Sequence, residues 1–170
     1  ALELIAKHRI TIFVGVVSYY NMLARLIEQT DADISSLRHI LTGGEPLSEE
    51  AERAWLATTG KPLEQFIGTT EMLHIFATVS RPGAEVASNS LGTAVPGYTI
   101  VVVDPETLRP VADGEPGLLC VQGPTGTVYW NKPSQQDATA VDGWNVFQDL
   151  VRRDEKGNLK AMLKSVGQNQ

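Results

Sequence analysis

Residues 64–76 read "EQFIGTTEMLHIF", and the polar insert in that stretch decides how the chain is to be folded. A buried strand would not choose Gly-Thr-Thr-Glu, because glycine weakens strands and an unpaired buried carboxylate is costly. Two readings stay open on residue types alone. One is an ordinary turn that ends a strand, with Glu71 facing water. The other is a strand end that sets a carboxylate and two hydroxyls where a ligand is handled.

The flanking pattern places the stretch in an α/β segment. Leu2, Ile5 and His8–Arg9 look like the end of a helix that runs into "ITIFVGV", a β-branched run of buried-strand type. From Ser18 onward, Tyr19, Met22, Leu23, Leu26 and Ile27 fall on one helical face. "LRHILT" is a second strand, ending in Gly43-Gly44-Glu45-Pro46. Ser48 is placed to cap a helix whose first turn holds Glu49 and Glu50, with Gly60 as its stop. "PLEQFI" is a third strand. Strands alternating with helices imply a parallel sheet, with ligands at the carboxyl ends of its strands. "TGGEP" and "IGTTE" are two such ends.

Beyond Gly97 the pattern changes to short β-rich runs, "TIVVVD", "GLLCVQG" and "TVYWN", separated by Pro, Gly and Asp. They read as antiparallel strands of a small barrel or sandwich. The expected organisation is an α/β segment over residues 1–97 and a β-rich segment over 98–170.

Composition removes several classes of partner. Fourteen basic against 20 acidic side chains leave a net charge of −6, and no basic block suggests nucleic acid or an anionic membrane. The one cysteine, Cys120, excludes an internal disulfide framework. No apolar run approaches the roughly 20 residues of a membrane span, and the N-terminus lacks the order of a signal peptide. A cytoplasmic chain is expected. There is no GxGxxG after a strand, "TTGKP" lacks the remaining residues of a phosphate loop, and His8, His39 and His74 stand apart.

"QFIGTTE" resembles the Gln-x-Tyr-Gly-x-Thr-Glu signature of the adenylate-forming enzymes, the acyl- and aryl-CoA ligases with their luciferase and nonribosomal-adenylation relatives. "IGTTEMLHIF" looks most like benzoate and aminobenzoate CoA ligases. "FVGVVSYYNML", "LRHILTGGEPL", "SLGTAVPGY", "GEPGLLCVQGPTGTVYWNKP" and "DGWNVFQDLVRRDEKGNL" follow in the family's order, so the resemblance covers almost the whole chain. It implies the large N-terminal domain of that family. It also implies a two-step reaction in which a small carboxylic acid and ATP give acyl-AMP, and CoA then displaces AMP.

Residue by residue, the resemblance implies a nucleotide site of Gly44, Glu45, Pro46, Phe66, Ile67, Gly68, Thr69, Thr70 and Asp149. Thr70 would meet a phosphate oxygen, Glu71 would help hold Mg²⁺, and Asp149 would accept from both ribose hydroxyls. The acyl pocket would involve Ser18, Tyr19, Tyr20, Gly43 and His74. Ile67 stands where most of the family has an adenine-stacking tyrosine, an exchange shared with aryl-acid ligases. Val146-Phe147-Gln148 replaces the Thr-Gly before the aspartate, and the Gly-Arg-x-Asp expected after "DEKGNL" is missing. The glycine-rich phosphate loop and the C-terminal lid with its lysine are expected outside these residues. The rival readings are a non-catalytic module that binds nucleotide, acid or a partner, and a nonribosomal-type adenylation domain.

Overall fold

The computed structural model describes residues 1–45, 47–79 and 90–162. They form two compact units, one built on residues 1–67 and the other on residues 68–78 and 90 onward. The change of character that the sequence places near Gly97 thus contrasts with a division inside the "QFIGTTE" stretch.

The first unit alternates helix and strand as the pattern requires: α1 (Leu2–His8), β1 (Ile12–Gly15), α2 (Val17–Glu28), β2 (His39–Thr42), α3 (Glu49–Thr59) and β3 (Glu64–Gly68), whose last residue opens the second unit. β1 pairs parallel with β2, Ile12 opposite His39, and β2 pairs parallel with β3, Leu41 opposite Glu64. Alternation sends Ile40, Thr42 and Gln65 to a buried face, and Leu23, Leu37, Leu47, Trp55 and Leu63 contribute to the first unit's core. α3 starts and stops where its sequence says. The Ala51 N–H donates to Ser48 Oγ at 3.2 Å, and Gly60 closes the helix at φ 67°.

Tyr20 fixes the strand ends. It is 1% exposed, its ring lies edge-on to Trp55 at 5.0 Å, and its hydroxyl donates to Leu41 O at 2.8 Å with Phe13 O at 3.2 Å. Burial drives its phenol pKa well above the ordinary value. One side chain therefore ties the backbones of β1 and β2 from the helix that connects them.

The second unit is antiparallel. β4 (Ile75–Thr78), β5 (Ser90–Ala94), β6 (Thr99–Val103), β7 (Pro116–Gln122), β8 (Ala140–Val141), β9 (Trp144–Arg153) and β10 (Leu159–Ala161) pair in the order β4-β5-β10-β9-β7-β6, with β8 beside β9. Buried Leu119, Val121, Val151 and Leu159 lie in this sheet, where Phe76 stacks on Phe147 with centroids 6.1 Å apart. "TIVVVD" and "GLLCVQG" are strands as expected. "TVYWN" is not. Its residues form a loop in which Asn131 takes φ 50°, and its backbone bonds to a side chain rather than to a strand. Gln136, on α4 (Pro133–Thr139), accepts from the Tyr129 N–H at 2.8 Å and donates to Thr127 O at 3.2 Å.

Tyr20→Phe should remove a largely buried hydrogen bond and cost about 1–2 kcal/mol, read as a lower urea midpoint of unfolding. An unchanged midpoint would show that the hydroxyl does not hold the strand ends.

Candidate functional site

In the first unit the candidate residues gather where β1, β2 and β3 end. Gly43 is buried, and a Cβ there would overlap the Phe66 ring, so glycine is what lets β3's aromatic side chain lie against the end of β2. Gly44 takes φ 77°, a conformation that favours glycine, with only a Val16 methyl within reach of a hypothetical Cβ, at 3.9 Å. The turn thus presents bare backbone. The Ser18 N–H donates to Glu45 Oε2 at 2.8 Å and Ser18 Oγ donates to Oε1 at 2.9 Å. α2 begins at Val17, so the Ser18 N–H is one of the donors a helix start leaves unpaired, and a carboxylate suits that end of the helix dipole. Glu45 spends its charge on that helix. Tyr19 is partly buried, tilted at 6.2 Å from Phe13. Tyr20, expected at a pocket wall, has its ring in the core, and Ser18, expected beside it, is bound to Glu45. Pro46 lies outside the described residues.

In the second unit, Gly68 to His74 form a compact turn that only glycine can begin. A Cβ on Gly68 would stand 2.7 Å from the His74 carbonyl oxygen. Thr69 closes the turn, accepting from the Met72 N–H through Oγ1 and through its carbonyl, each at 3.2 Å, and Thr70 O accepts from the Leu73 N–H at 3.2 Å. Leu73 is left at φ 67°. Tyr129 Oη donates to Glu71 Oε1 at 2.9 Å. Glu71's own backbone N–H, joined by Tyr129 and Thr69, holds its carboxyl below the ordinary range against an opposing contribution from burial. His74 is exposed, with Nδ1 2.7 Å from Ile75 O and Nε2 3.0 Å from the Tyr98 hydroxyl.

Asp149 reaches the surface through an irregularity in β9. Leu118 faces Leu150 and Cys120 faces Val146, so Phe147, Gln148 and Asp149 together oppose Leu119. Such bulges re-aim side chains. Here Gln148, Asp149 and Leu150 are all exposed, and the Asp149 carboxylate has no hydrogen bond or ion pair among the described residues. The sequence "VFQD" thus gains its outward carboxylate from two extra residues in the strand rather than from a glycine.

Three polar residues of this turn's surroundings escape the sequence reading: Tyr98, Thr125 and Tyr129. Tyr129 lies 58 residues from the carboxylate it serves, inside a run whose aromatic and β-branched content suggested a strand.

A family model for the AMP-binding enzymes matches residues 1–130. The benzoate–CoA ligase of Thauera aromatica is 33% identical over 157 residues, spanning 91% of this chain and 29% of that protein. A long-chain-fatty-acid–CoA ligase of Salmonella typhimurium is also 33% identical over 157 residues, spanning 92% of this chain and 28% of its own length. Among solved structures, the anthranilate CoA ligase AuaEII in complex with anthranoyl-AMP superposes with a TM-score of 0.84 at 30% identity, over 94% of this chain and 31% of that one. The chain therefore spans about a third of the relatives it matches.

Because folding depresses the Glu71 pKa, its contribution to stability is present at neutral pH. It fades as pH falls through the folded-state value. Tyr129→Phe removes one donor, so the Glu71 carboxyl should titrate at higher pH by ¹³C NMR. A midpoint that does not move would mean the Tyr129 bond is not formed in solution.

Proposed function

We propose that this chain, which belongs to the AMP-binding enzyme family, is part of an ATP-dependent acid–CoA ligase that acts on an aryl acid. A carboxylate oxygen attacks the α-phosphorus of ATP, a P–O bond forms and pyrophosphate leaves. The sulfur of CoA then attacks the acyl carbon, giving up its thiol proton, and AMP departs with the oxygen that the acid supplied.

The observation that carries this reading is Glu71. It is a carboxylate kept ionised by nearby donors, in a turn whose opening glycine has no room for a side chain. Mg²⁺ is held by one or two carboxylates together with substrate phosphates and water. Among the described residues no cluster of three or more His, Cys, Asp or Glu forms a cage. A single anionic Glu71 fits a metal that arrives with a nucleotide. When bound, that metal would offset the phosphate charge that repels an incoming carboxylate.

The other roles follow from what each side chain has left to offer. Thr70 supplies a hydroxyl to a phosphate oxygen, beside Thr69, whose own oxygen already accepts within the turn. Gly44, with no side chain and a positive φ, offers backbone along an adenine. Glu45 and Pro46 continue that segment, Glu45 through its backbone because its carboxylate is committed to Ser18. Phe66, Ile67 and Gly68 form the strand end on the nucleotide side, and Asp149 offers two free acceptor oxygens to ribose hydroxyls. For the acid, the candidates are Tyr19 and Gly43 in the first unit and His74 in the second. Ser18 and Tyr20 act through the segments they hold.

The aryl assignment rests on Ile67 and His74, since aryl and fatty-acid ligases match this chain at equal identity. In the full-length polypeptide, benzoate-type acids should support exchange of labelled pyrophosphate into ATP, with kcat/KM above that for palmitate by roughly 10- to 200-fold, the size of one good apolar contact. Equal rates on the two acids would remove the aryl assignment. Absence of acid-dependent exchange would remove the ligase reading and leave a binding module.

A further inference from the structure

We propose that Tyr98 and Thr125 are positioning residues that lock the His74 ring through a hydrogen-bond chain and so fix the surface that ring offers to an acid. The chain runs from one carbonyl of the turn to another. His74 Nδ1 lies 2.7 Å from Ile75 O, and Nε2 lies 3.0 Å from Tyr98 Oη. Tyr98 Oη lies 2.6 Å from Thr125 Oγ1, and Thr125 Oγ1 donates to Met72 O at 2.8 Å.

Donor counting assigns each link. A carbonyl can only accept, so the one hydroxyl hydrogen of Thr125 goes to Met72 O. The short contact between Thr125 and Tyr98 must then take its hydrogen from Tyr98. That leaves Tyr98 Oη as the acceptor toward His74, and Nε2 must donate. At the other end Nδ1 faces the Ile75 carbonyl and must also donate. With every link made, both ring nitrogens of His74 donate, which is the doubly protonated imidazolium form, and both N–H groups are used inside the protein.

The surroundings are built for this arrangement. Tyr98 is buried, edge-on to His74 at 5.6 Å and tilted against Phe76 at 6.4 Å. Gly123 makes room for it, since any Cβ there would overlap the phenol ring. Thr125 follows in the same loop, so one short segment supplies both the space for Tyr98 and the acceptor for its hydroxyl. An exposed imidazole at the end of a turn would otherwise sample several rotamers. Here the ring is held at both nitrogens and offers only its carbon edge and face. A planar aromatic group packs on the face of such a cationic ring, whereas the carboxylate of an acid is drawn by its charge but gains no hydrogen bond from it. The inference about acid choice rests on the reading of His74 as part of the acyl wall.

Two measurements separate the chain of bonds from that reading. In ¹⁵N-edited spectra of the 170-residue protein, with His74 identified by a His74→Gln variant, ring hydrogens should be seen on both nitrogens. Tyr98→Phe should abolish the protection of Nε2–H and leave Nδ1–H. A ring without hydrogen on Nε2, or one unaffected by Tyr98→Phe, would overturn the locking chain.

In the full-length polypeptide, Tyr98→Phe and Thr125→Val should raise KM for benzoate roughly 3- to 10-fold, the effect of one lost orienting hydrogen bond. KM for ATP should stay put, and Thr125→Ser, which keeps the hydroxyl, should restore the wild-type value. Unchanged benzoate KM in a variant whose ring has lost its lock would overturn the role in acid choice. If the wild-type protein shows no acid-dependent reaction at all, the function proposed above fails instead, and the spectra alone decide the chain.

Discussion

The close approach between Gly68 and the carbonyl of His74 is the constraint on which the second unit's candidate site depends. With 2.7 Å between that oxygen and the place a Cβ would occupy, any other residue forces strand and turn apart. Because the backbone folds back so tightly, Thr69 reaches the Met72 N–H and Glu71 bonds to its own amide. For the same reason Met72 and Ile75 aim their carbonyls at the two ends of the His74 chain. A glycine with no side chain thus sets where a carboxylate, two hydroxyls and an imidazole stand. The answer to the polar insert in "EQFIGTTEMLHIF" is a built turn rather than a loose one.

The first unit solves a different problem with the same economy of parts. A parallel strand end must turn sharply and hand the chain to a helix, and the ends of α2 and β2 are joined by a side chain instead of by length. Glu45 satisfies the helix start that Ser18 leaves open, and Tyr20 on that helix ties down the carbonyls of Leu41 and Phe13. The Glu45 carboxylate, the Ser18 hydroxyl and the Tyr20 hydroxyl in this corner are committed to structure. The Gly43-Gly44 turn beside them presents bare backbone.

Much of this was legible. Caps and stops are local, so Ser48 and Gly60 announced α3, and period-3.6 and β-branched runs announced α2 and the three parallel strands. The segment "TVYWN" misled because its composition suits a strand, while the outcome was decided by Gln136, a residue beyond it that pairs with its backbone. Tyr20 misled in another way. Its place in a helical face is compatible with a wall or with the core, and only the two carbonyls it meets distinguish them. The carboxylate of Glu45 was not legible as a helix-start acceptor because its partner Ser18 lies 27 residues earlier. The setting of Asp149 was not legible, since nothing in "VFQD" reveals that Leu119 faces three residues. Contacts between distant loops, such as Tyr129 with Glu71 and Tyr98 with Thr125, leave no periodic trace in the sequence.

The proposed reaction is the attack of a carboxylate on the α-phosphorus of ATP. The most direct test follows the oxygen. Benzoate labelled with ¹⁸O in its carboxyl group, incubated with the full-length polypeptide, ATP, Mg²⁺ and CoA, should pass one labelled oxygen to the phosphate of AMP, detected by mass spectrometry beside unlabelled pyrophosphate. Label appearing in inorganic phosphate alongside ADP would place the attack on the γ-phosphorus, and would contradict the account.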